Sequence, residues 1–274
     1  MHLHSTSLVV GGRRVVMKVT VCQFDPRPEY LKESLNNLTT YVRETNSDFL
    51  LLPEMCFFDW LPATEILNTK RWEEAILAHD RKIAELTTLG ARGVVGTRPI
   101  LNQNGSRRNQ AYVWSTETET ALPLHEKYYL PNEPGYYEQN WYDQGEKSFQ
   151  VGHVLGMRIG IQICTEMWFL EWARHYAVSK VDLLCVPRAT QHESVDKWLA
   201  GGQTAAVCSG AYCLSSSLWT PKNDKVNLGG RGWIIDPEGN ILATTDDINP
   251  FATIEINLEF ARQSKATYPR YVPE

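Results

Sequence analysis

The sequence predicts an α/β fold in which helices cover layers of β-sheet. Strand-like apolar runs alternate with amphipathic helices along the whole chain of 274 residues, which is the pattern of α/β layers. Some runs, such as Phe49 to Leu52, are apolar at every position and indicate strands that are buried on both faces. No repeat of fixed period and no linker composition interrupts the pattern, so we expect one large domain.

The first half of the chain shows the alternation most clearly. Met17 opens an apolar run that is typical of a strand, and Leu31, Leu35 and Leu38 recur at the spacing of one helical face. The next strand-like run ends in an acid, Glu54. In chain order we expect strand 17–24, helix 29–45, strand 48–54, helix 72–86 and strands 93–97, 109–115 and 121–127.

The second half continues the pattern after an unusual segment at residues 130–145. This segment carries Tyr136, Tyr137 and Trp141 among Pro, Gly and Asn, which predicts an ordered loop instead of a linker. Later in the chain we expect strand 181–187, helix 194–210 and strands 211–218, 232–236, 240–244 and 251–256.

Residues 157–174 change their periodicity at Cys164. Apolar residues alternate before it, while Trp168 and Trp172 recur at helical spacing after it, so a strand runs into a helix with a cysteine at the junction. Backbone N–H groups at a helix start lower the pKa of a thiol and hold a developing oxyanion, which makes Cys164 a candidate nucleophile. The alternative is that Cys164 is a small buried hydrophobic residue.

Charge and composition exclude several classes of partner. The formal net charge of −5 gives no basic field for nucleic acid or for an anionic membrane surface. No apolar run approaches the roughly 20 residues that cross a bilayer. Residues 1–16 lack the order of a signal peptide, and we expect them to be a loosely ordered extension that precedes a domain at 17–274.

The cysteines favour a reducing compartment, which we take to be the cytoplasm. The six cysteines form no CxxC pair, and this argues against both a disulfide framework and a zinc site. The sequence therefore predicts no metal and no cofactor.

Three of the strand-like segments end in a reactive side chain: Glu54, Lys127 and Cys164. Alone, such a residue is more often a solvated residue at the rim of a sheet. Their sequence contexts are F-L-L-L-P-E-M, H-E-K-Y-Y-L-P and I-G-I-Q-I-C-T-E-M-W. In these contexts the chain resembles the nitrilase or carbon–nitrogen hydrolase superfamily, whose members use a Glu-Lys-Cys triad in this chain order.

The resemblance covers nearly all of residues 17–274. It includes the loop L-P-N-E-P-G-Y-Y-E-Q-N-W-Y and the late run G-G-R-G-W-I-I-D-P-E-G-N, and it looks most like the N-carbamoylputrescine amidase and N-carbamoyl amino acid amidohydrolase branches. For the fold, the resemblance implies a four-layer α-β-β-α sandwich. It also implies a small-molecule substrate, no cofactor, and a homodimer or larger homo-oligomer.

The resemblance assigns roles to residues that match the family motifs. It implies that Cys164 attacks a carbonyl carbon, that Glu54 takes the thiol proton, and that the oxyanion is stabilised by Lys127 and the Thr165 backbone N–H. Many family members carry a second glutamate after the lysine. Glu138 in G-Y-Y-E matches it, with Glu133 as the alternative.

Four further residues are candidates for binding substrate. Trp60, Tyr128 and Trp168 are expected to form apolar walls, although most of the nine tryptophans belong to the core or an interface. Arg188 replaces the small polar residue of the relatives. It would bind a substrate carboxylate or, alternatively, form a structural ion pair.

Several functions are compatible with this reading. The favoured one is hydrolysis of an amide or N-carbamoyl group of a small molecule through a cysteine thioester. A true nitrilase is the alternative within the same chemistry, since T-E-M-W after the cysteine strand fits no single branch. A protein with a peroxidatic Cys164 and an inactive scaffold are alternatives from other classes.

Overall fold

The computed structural model describes residues 16–222 and 224–273, and its strands form one mixed twelve-stranded sheet that divides into two halves. The first half has the spatial order β5 (Leu122–Glu126), β4 (Arg107–Ser115), β3 (Gly93–Leu101), β2 (Phe49–Leu51), β1 (Val16–Phe24) and β14 (Phe251–Asn257). The second has the order β8 (Gly152–Val154), β9 (Met157–Ile161), β10 (Leu183–Arg188), β11 (Tyr212–Leu218), β12 (Trp233–Ile235) and β13 (Ile241–Thr244). The halves join where Gln23 and Phe24 of β1 pair with Ser217 and Leu218 of β11.

The two halves share one hydrophobic core, because alternate residues of their strands point to opposite faces. Val19, Leu51 and Val95 of the first half belong to the same buried cluster as Ile159 and Ile161 of the second. Burying these faces against each other removes apolar surface from water, which is the main favourable term in folding. The result is a pair of β-layers with a common interior.

Helices cover the outer faces of both halves. Helices α1 (Pro28–Thr45) and α2 (Thr69–Ala84) pack on the first half, and α4 (Leu170–Val178) and α5 (Val195–Ser209) pack on the second. Leu31, Leu35 and Leu38 are the buried face of α1, as their spacing predicts. The predicted α/β sandwich in a single domain is therefore confirmed.

The structure adds elements that the sequence pattern does not predict. The loop 130–145 is ordered, as expected, but it contains a small hairpin, β6 (Asn132–Glu133) with β7 (Tyr136–Tyr137), followed by one helical turn, α3 (Glu138–Trp141). Strand β8 and helix α6 (Leu258–Ser264) were not expected. These segments are short, and short elements carry too few residues to show a periodicity.

The structure describes the start of the predicted domain but not the segment that precedes it. The first described residue, Val16, already belongs to β1 and pairs with Asn257 of β14. Residues 1–15 lie outside the described residues, and the extension stays a prediction. In the described part of the chain, no helix combines the length and apolarity that crossing a membrane requires.

Strand β9 is held next to α4 by a close aromatic contact. A Cβ atom on Gly160 would meet the Tyr176 ring at 2.7 Å, so only glycine leaves room for this ring. The Tyr176 hydroxyl accepts a hydrogen bond from the Ile161 N–H at 3.1 Å and donates one to the Ile161 carbonyl at 2.9 Å. These contacts fix the end of the strand that leads to Cys164.

Candidate active site

The predicted reactive residues lie together just beyond the ends of their strands. Glu54 follows β2, Lys127 directly follows β5, and Cys164 follows β9 as the first residue of a 3-10 turn, Cys164–Trp168. The Glu54 backbone N–H lies 3.5 Å from the Arg188 carbonyl at the end of β10. The site therefore gathers side chains from both halves of the sheet.

Lys127 lies between two buried carboxylates. Its Nζ donates to Glu54 Oε1 at 2.8 Å and to Glu138 Oε1 at 2.7 Å. None of the three side chains is exposed to solvent. Of the two glutamates that the sequence offered after the lysine, Glu138 is the one that contacts it.

Burial controls the protonation of this cluster. It raises the pKa of Glu54 even though the nearby Lys127 ammonium lowers it. Burial also raises the pKa of Glu138 to about 7, again against the effect of Lys127. For Lys127, burial lowers the pKa, but the carboxylates of Glu138 and Glu54 outweigh it and the pKa lies above its ordinary value. The lysine is thus a cation, Glu138 titrates near neutral pH, and the Glu54 carboxylate is a stronger base than a solvated one.

Two further residues complete the cluster, and sequence reasoning missed both. Asn109 Nδ2 donates to Glu54 Oε1 at 2.8 Å and lies 3.5 Å from the Tyr142 hydroxyl. Burial, and after it the nearby Glu138 carboxylate, raise the pKa of Tyr142 above its ordinary value. Two features of the sequence could have indicated them. Asn109 lies in the predicted strand that precedes the strand of Lys127, and Tyr142 belongs to the N-W-Y motif of the loop.

Cys164 lies beside this cluster with its thiol nearly excluded from solvent. Its Sγ donates to the Ala189 carbonyl at 3.5 Å, and Glu54 Oε2 is buried with no hydrogen-bond partner among the described residues. Its backbone has a φ of 49°, in the left-handed region that few non-glycine residues adopt. Such a strained position is common at functional sites and aims the side chain away from the strand.

The expected lowering of the thiol pKa by a helix start is wrong. The regular helix α4 begins only at Leu170, after the 3-10 turn, so its N-terminus is not at Cys164. Burial, and after it the Glu54 carboxylate, raise the pKa of the Cys164 thiol above its ordinary value. The thiol is therefore protonated at rest and needs a base to remove its proton.

A buried acid links the cysteine segment to the lysine segment. Glu166 accepts hydrogen bonds from the backbone N–H of Ile163 and from that of Tyr128, each at 2.7 Å. These N–H groups belong to the residues that precede Cys164 and follow Lys127. Glu166 thereby fixes the distance between the two segments.

His125 is the charged partner of Glu166. Its Nε2 lies 2.8 Å from Glu166 Oε2, and its Nδ1 lies 3.0 Å from the Ser148 carbonyl. Both neighbours only accept hydrogen bonds, so both ring nitrogens must donate and the imidazole is positively charged. Burial lowers the pKa of His125, but the Glu166 carboxylate outweighs burial and raises that pKa above its ordinary value.

A cavity of about 280 Å³ opens over Cys164. Thr165 and Trp168 line it, as predicted, and so does Glu133. The other residues in contact with the cavity come from the loop, the end of β10 and the start of α5: Pro131, Tyr136, Glu138, Ala189, Thr190, Gln191, Ser194, Lys197 and Trp198.

Two of the predicted apolar walls lie elsewhere. Trp60 is buried and donates from Nε1 to the Gly135 carbonyl at 3.0 Å, and its ring lies 6.0 Å from that of Tyr136, which does line the cavity. Tyr128 packs edge-on against Tyr129. Trp60 therefore packs against Tyr136, a residue of the cavity lining, without lining the cavity itself. Tyr128 packs with Tyr129 outside the lining.

Arg188 is buried below the cavity and does not line it. Its guanidinium donates to Ser215 Oγ and to Thr190 Oγ1, each at 2.7 Å, and to the Arg231 carbonyl at 2.6 Å. It pairs with no carboxylate among the described residues, so the ion pair that was the alternative from the sequence is absent there. Burial lowers its pKa to about 10. The guanidinium remains charged at neutral pH.

The donor set does not suggest a metal site. Over residues 16–222 and 224–273, no three His, Cys, Asp or Glu side chains are grouped so that they could hold a metal ion. The ionic groups near Cys164 are instead balanced by one another, with Lys127 between its two carboxylates.

The comparison with known families identifies the chain. The family model described as carbon-nitrogen hydrolase matches residues 18–266. The chain belongs to the carbon–nitrogen hydrolase family. Its relatives include the N-carbamoylputrescine amidase of Solanum lycopersicum, 28% identical over 142 residues, which are 47% of this chain and 47% of that protein. They also include the citrullinase of Francisella tularensis, 23% identical over 84% of this chain and 85% of that protein. The chain spans about half the length of the plant amidases that it matches.

Solved structures of carbon–nitrogen hydrolases show the same fold. The enzyme from Helicobacter pylori superposes with a TM-score of 0.82 at 16% identity, over 95% of this chain and 96% of that one. An amidase from Nesterenkonia sp. superposes with a TM-score of 0.73 at 19% identity, over 94% and 96% of the two chains. That amidase carries the acetamide moiety of fluoroacetamide on its active-site cysteine.

Proposed function

We propose that this protein hydrolyses an amide or N-carbamoyl C–N bond of a small molecule through a thioester on Cys164. The observation that carries the proposal is a buried thiol near the Glu54 carboxylate, whose Oε2 has no hydrogen-bond partner among the described residues, together with a lysine clamped between Glu54 and Glu138. This cluster lies beneath a cavity of about 280 Å³. The amidase, citrullinase and N-carbamoylputrescine amidase names of the relatives support the same chemistry. A cavity of this size suits a small ligand.

The first step forms the thioester. Glu54 Oε1 holds Lys127 and Asn109, which leaves the other carboxylate oxygen to accept the Cys164 proton. The sulfur attacks the carbonyl carbon, and Glu54 passes the proton to the leaving nitrogen as the C–N bond breaks. Burial raises the pKa of the Glu54 carboxyl group, which makes its carboxylate a stronger base for the thiol proton than a solvated carboxylate would be.

Charge on the oxyanion is stabilised by two donors. Lys127 has three N–H groups; two face Glu54 and Glu138, and the third remains for the substrate oxygen. Thr165 is the second residue of the 3-10 turn, where its backbone N–H has no acceptor within the turn. Glu138 keeps Lys127 in place and lines the cavity.

The second step hydrolyses the thioester. Glu54 accepts a proton from water, the resulting hydroxide attacks the acyl carbon, and the carboxylic acid product leaves as Cys164 recovers its proton. With an amide, the net reaction consumes one water and releases the acid together with ammonia or an amine. With an N-carbamoyl compound, the acyl group on Cys164 is a thiocarbamate, and its hydrolysis gives a carbamic acid that breaks down to the amine and CO2. A nitrile substrate would need a further hydration before the same thioester is reached.

Two alternative functions fit the site less well. A peroxidatic cysteine reacts as a thiolate, whereas Glu54 and burial favour the thiol form of Cys164. An inactive scaffold would have no use for a buried cation and two buried carboxylates, which are costly to desolvate. A cytoplasmic location and a homodimer or larger assembly stay predictions from the cysteine pattern and the family resemblance.

The proposal is tested by supplying matched amides, N-carbamoyl compounds and nitriles to the wild-type protein and to Glu54→Gln. We expect ammonia from amides or N-carbamoyl compounds and at least about a hundredfold loss in Glu54→Gln, because the glutamine cannot accept a proton. Turnover of nitriles alone would favour the nitrilase alternative. Equal rates in both proteins would refute the role of Glu54.

A further inference from the structure

Arg188 holds a buried charge among neutral partners. All of its hydrogen bonds go to hydroxyl and carbonyl oxygens, and its guanidinium lies 4.0 Å from the centroid of the Trp233 ring. A buried cation without a carboxylate partner is costly. The arrangement therefore calls for a role that a neutral side chain could not fill.

The guanidinium determines how the Thr190 hydroxyl is used. Arginine can only donate, so Thr190 Oγ1 must accept the hydrogen bond from Arg188 Nη1 at 2.7 Å. The proton of the hydroxyl is then directed away from Arg188. No atom among the described residues accepts it, and Thr190 lines the cavity. Arg188 thus makes Thr190 a donor toward whatever occupies the cavity.

A second donor comes from the same segment of the chain. Lys197, in the first turn of α5, lines the cavity with its Nζ 6.0 Å from the centroid of the Trp168 ring. It forms no ion pair with a carboxylate in residues 16–222 and 224–273. The neighbouring Ser194 hydroxyl donates instead to the Gln191 carbonyl at 3.0 Å. Gln191 and Trp198 also line the cavity with N–H donors, but among the described residues Lys197 is the one cation in the lining and Thr190 is the donor that a buried cation orients.

The negative charge of the cavity comes from other segments. Glu133 belongs to the hairpin β6–β7, and Glu138 begins α3. An anionic group of a ligand is repelled by these two acids and attracted by Lys197, so it has one preferred orientation. A carboxylate combines this charge with acceptor oxygens for both donors.

We propose that Thr190 and Lys197 bind a carboxylate of the substrate, and that Arg188 is a positioning residue which orients the Thr190 hydroxyl. The substrate class is then an amide or N-carbamoyl compound whose other end carries a carboxylate. This inference rests on the proposed function, because the C–N bond must lie at Cys164 when the carboxylate lies at Thr190 and Lys197.

The test compares glutaramate with pentanamide, two amides of equal chain length that differ in the terminal carboxylate. We expect kcat/KM of the wild-type protein to be at least about tenfold higher for glutaramate, with most of the difference in KM. Lys197→Met should reduce this ratio towards one. Lys32→Met, which removes an exposed lysine of α1 far from the cavity lining, should leave the ratio unchanged.

The role of Arg188 is tested through Thr190. Thr190→Ser keeps the hydroxyl and should retain the preference, whereas Thr190→Val keeps the shape and should lose it. Arg188→Met should lose as much of the ratio as Thr190→Val, and the double variant should lose no more, because both changes remove the same oriented donor. If Arg188→Met does not fold, the comparison of serine with valine at Thr190 still decides the assignment.

The outcomes separate this inference from the proposed function. Equal kcat/KM for the two amides, or a preference that survives Lys197→Met and Thr190→Val, would overturn the carboxylate site and leave amide hydrolysis intact. If neither amide is hydrolysed, the proposed function fails. The affinities of Cys164→Ala for the two compounds, measured by calorimetry, then decide the carboxylate site: tighter glutaramate binding supports it and equal binding overturns it.

Discussion

The Nζ of Lys127 lies 2.8 Å from Oε1 of Glu54, and neither side chain is exposed to solvent. Glu138 holds the same ammonium from the other side. Because two carboxylates hold the ammonium in place, the substrate oxygen must bind at the position that the ammonium already has. Such preorganised charge costs no rearrangement when the oxyanion forms.

Replacing Lys127 by Met should abolish most of the activity. The change removes the cation that stabilises the oxyanion and leaves two carboxylates in contact without a counter-charge, so we expect kcat/KM to fall about 100- to 1,000-fold. The measurement is ammonia release from an amide. Lys82→Met on the exposed face of α2 is the control and should retain wild-type rates. Substantial activity in Lys127→Met would show that another group stabilises the oxyanion.

Glu138 should make stability depend on pH. Its pKa is raised from 4.5 to about 7, chiefly by burial, so the folded protein binds this proton more tightly than the unfolded chain. This contribution to stability is fully present below pH 4.5 and is lost as the pH rises through about 7, and it amounts to at most about 3 kcal/mol. Urea unfolding from pH 5 to pH 8 should show the decline. The slope should be smaller in Glu138→Gln, and an unchanged slope would contradict the assignment.

Replacing a residue of the pair formed by His125 and Glu166 should lower kcat more than it raises KM. Glu166→Gln weakens the links to the backbone N–H groups of Ile163 and Tyr128, which misplaces Cys164 relative to Lys127 without touching the cavity residues. Breaking the buried pair by His125→Leu should cost about 3–5 kcal/mol of stability. Steady-state kinetics and urea unfolding measure the two effects. A rise in KM alone would indicate a substrate-binding role instead.

The charge on His125 gives a second pH effect. Because its pKa is raised above the ordinary value of 6.5, its contribution to stability is present below pH 6.5 and is lost as the pH rises through the folded pKa. The charged or hydrogen-bonding groups that face the ring are Glu166, Glu126 and the Ser148 carbonyl. NMR titration of the ring should show an imidazolium that persists above pH 6.5. An imidazole that is neutral at pH 6 would contradict the pair.

The sequence predicts the features of the site that depend on local pattern. The strand ends at Glu54, Lys127 and Cys164 follow from apolar periodicity, and the three side chains meet because sheet strands end at a common edge. Helix faces such as that of α1 follow from the same pattern. The G-Y-Y-E motif of the loop is what points to Glu138 in the sequence.

Contacts between segments that are distant in sequence carry no such pattern. Asn109 reaches Glu54 from another strand, and Glu166 reaches Tyr128 across the two halves of the sheet. The raised pKa of Cys164 is likewise not predicted by local pattern, because burial in the folded protein and the carboxylate of Glu54, distant in sequence, cause it. The partners of Arg188 likewise come from β11 and from the segment before β12, which only the fold brings together.

The most direct test of the proposed mechanism is intact-protein mass spectrometry of samples quenched during amide turnover. The account predicts an acyl adduct on the wild-type protein that maps to Cys164 and is released by hydroxylamine. Cys164→Ala should show neither adduct nor ammonia, while Cys208→Ala, which changes a half-buried cysteine outside the cavity lining, should behave as the wild type. Ammonia release by Cys164→Ala at the wild-type rate, or an adduct on another residue, would contradict the account.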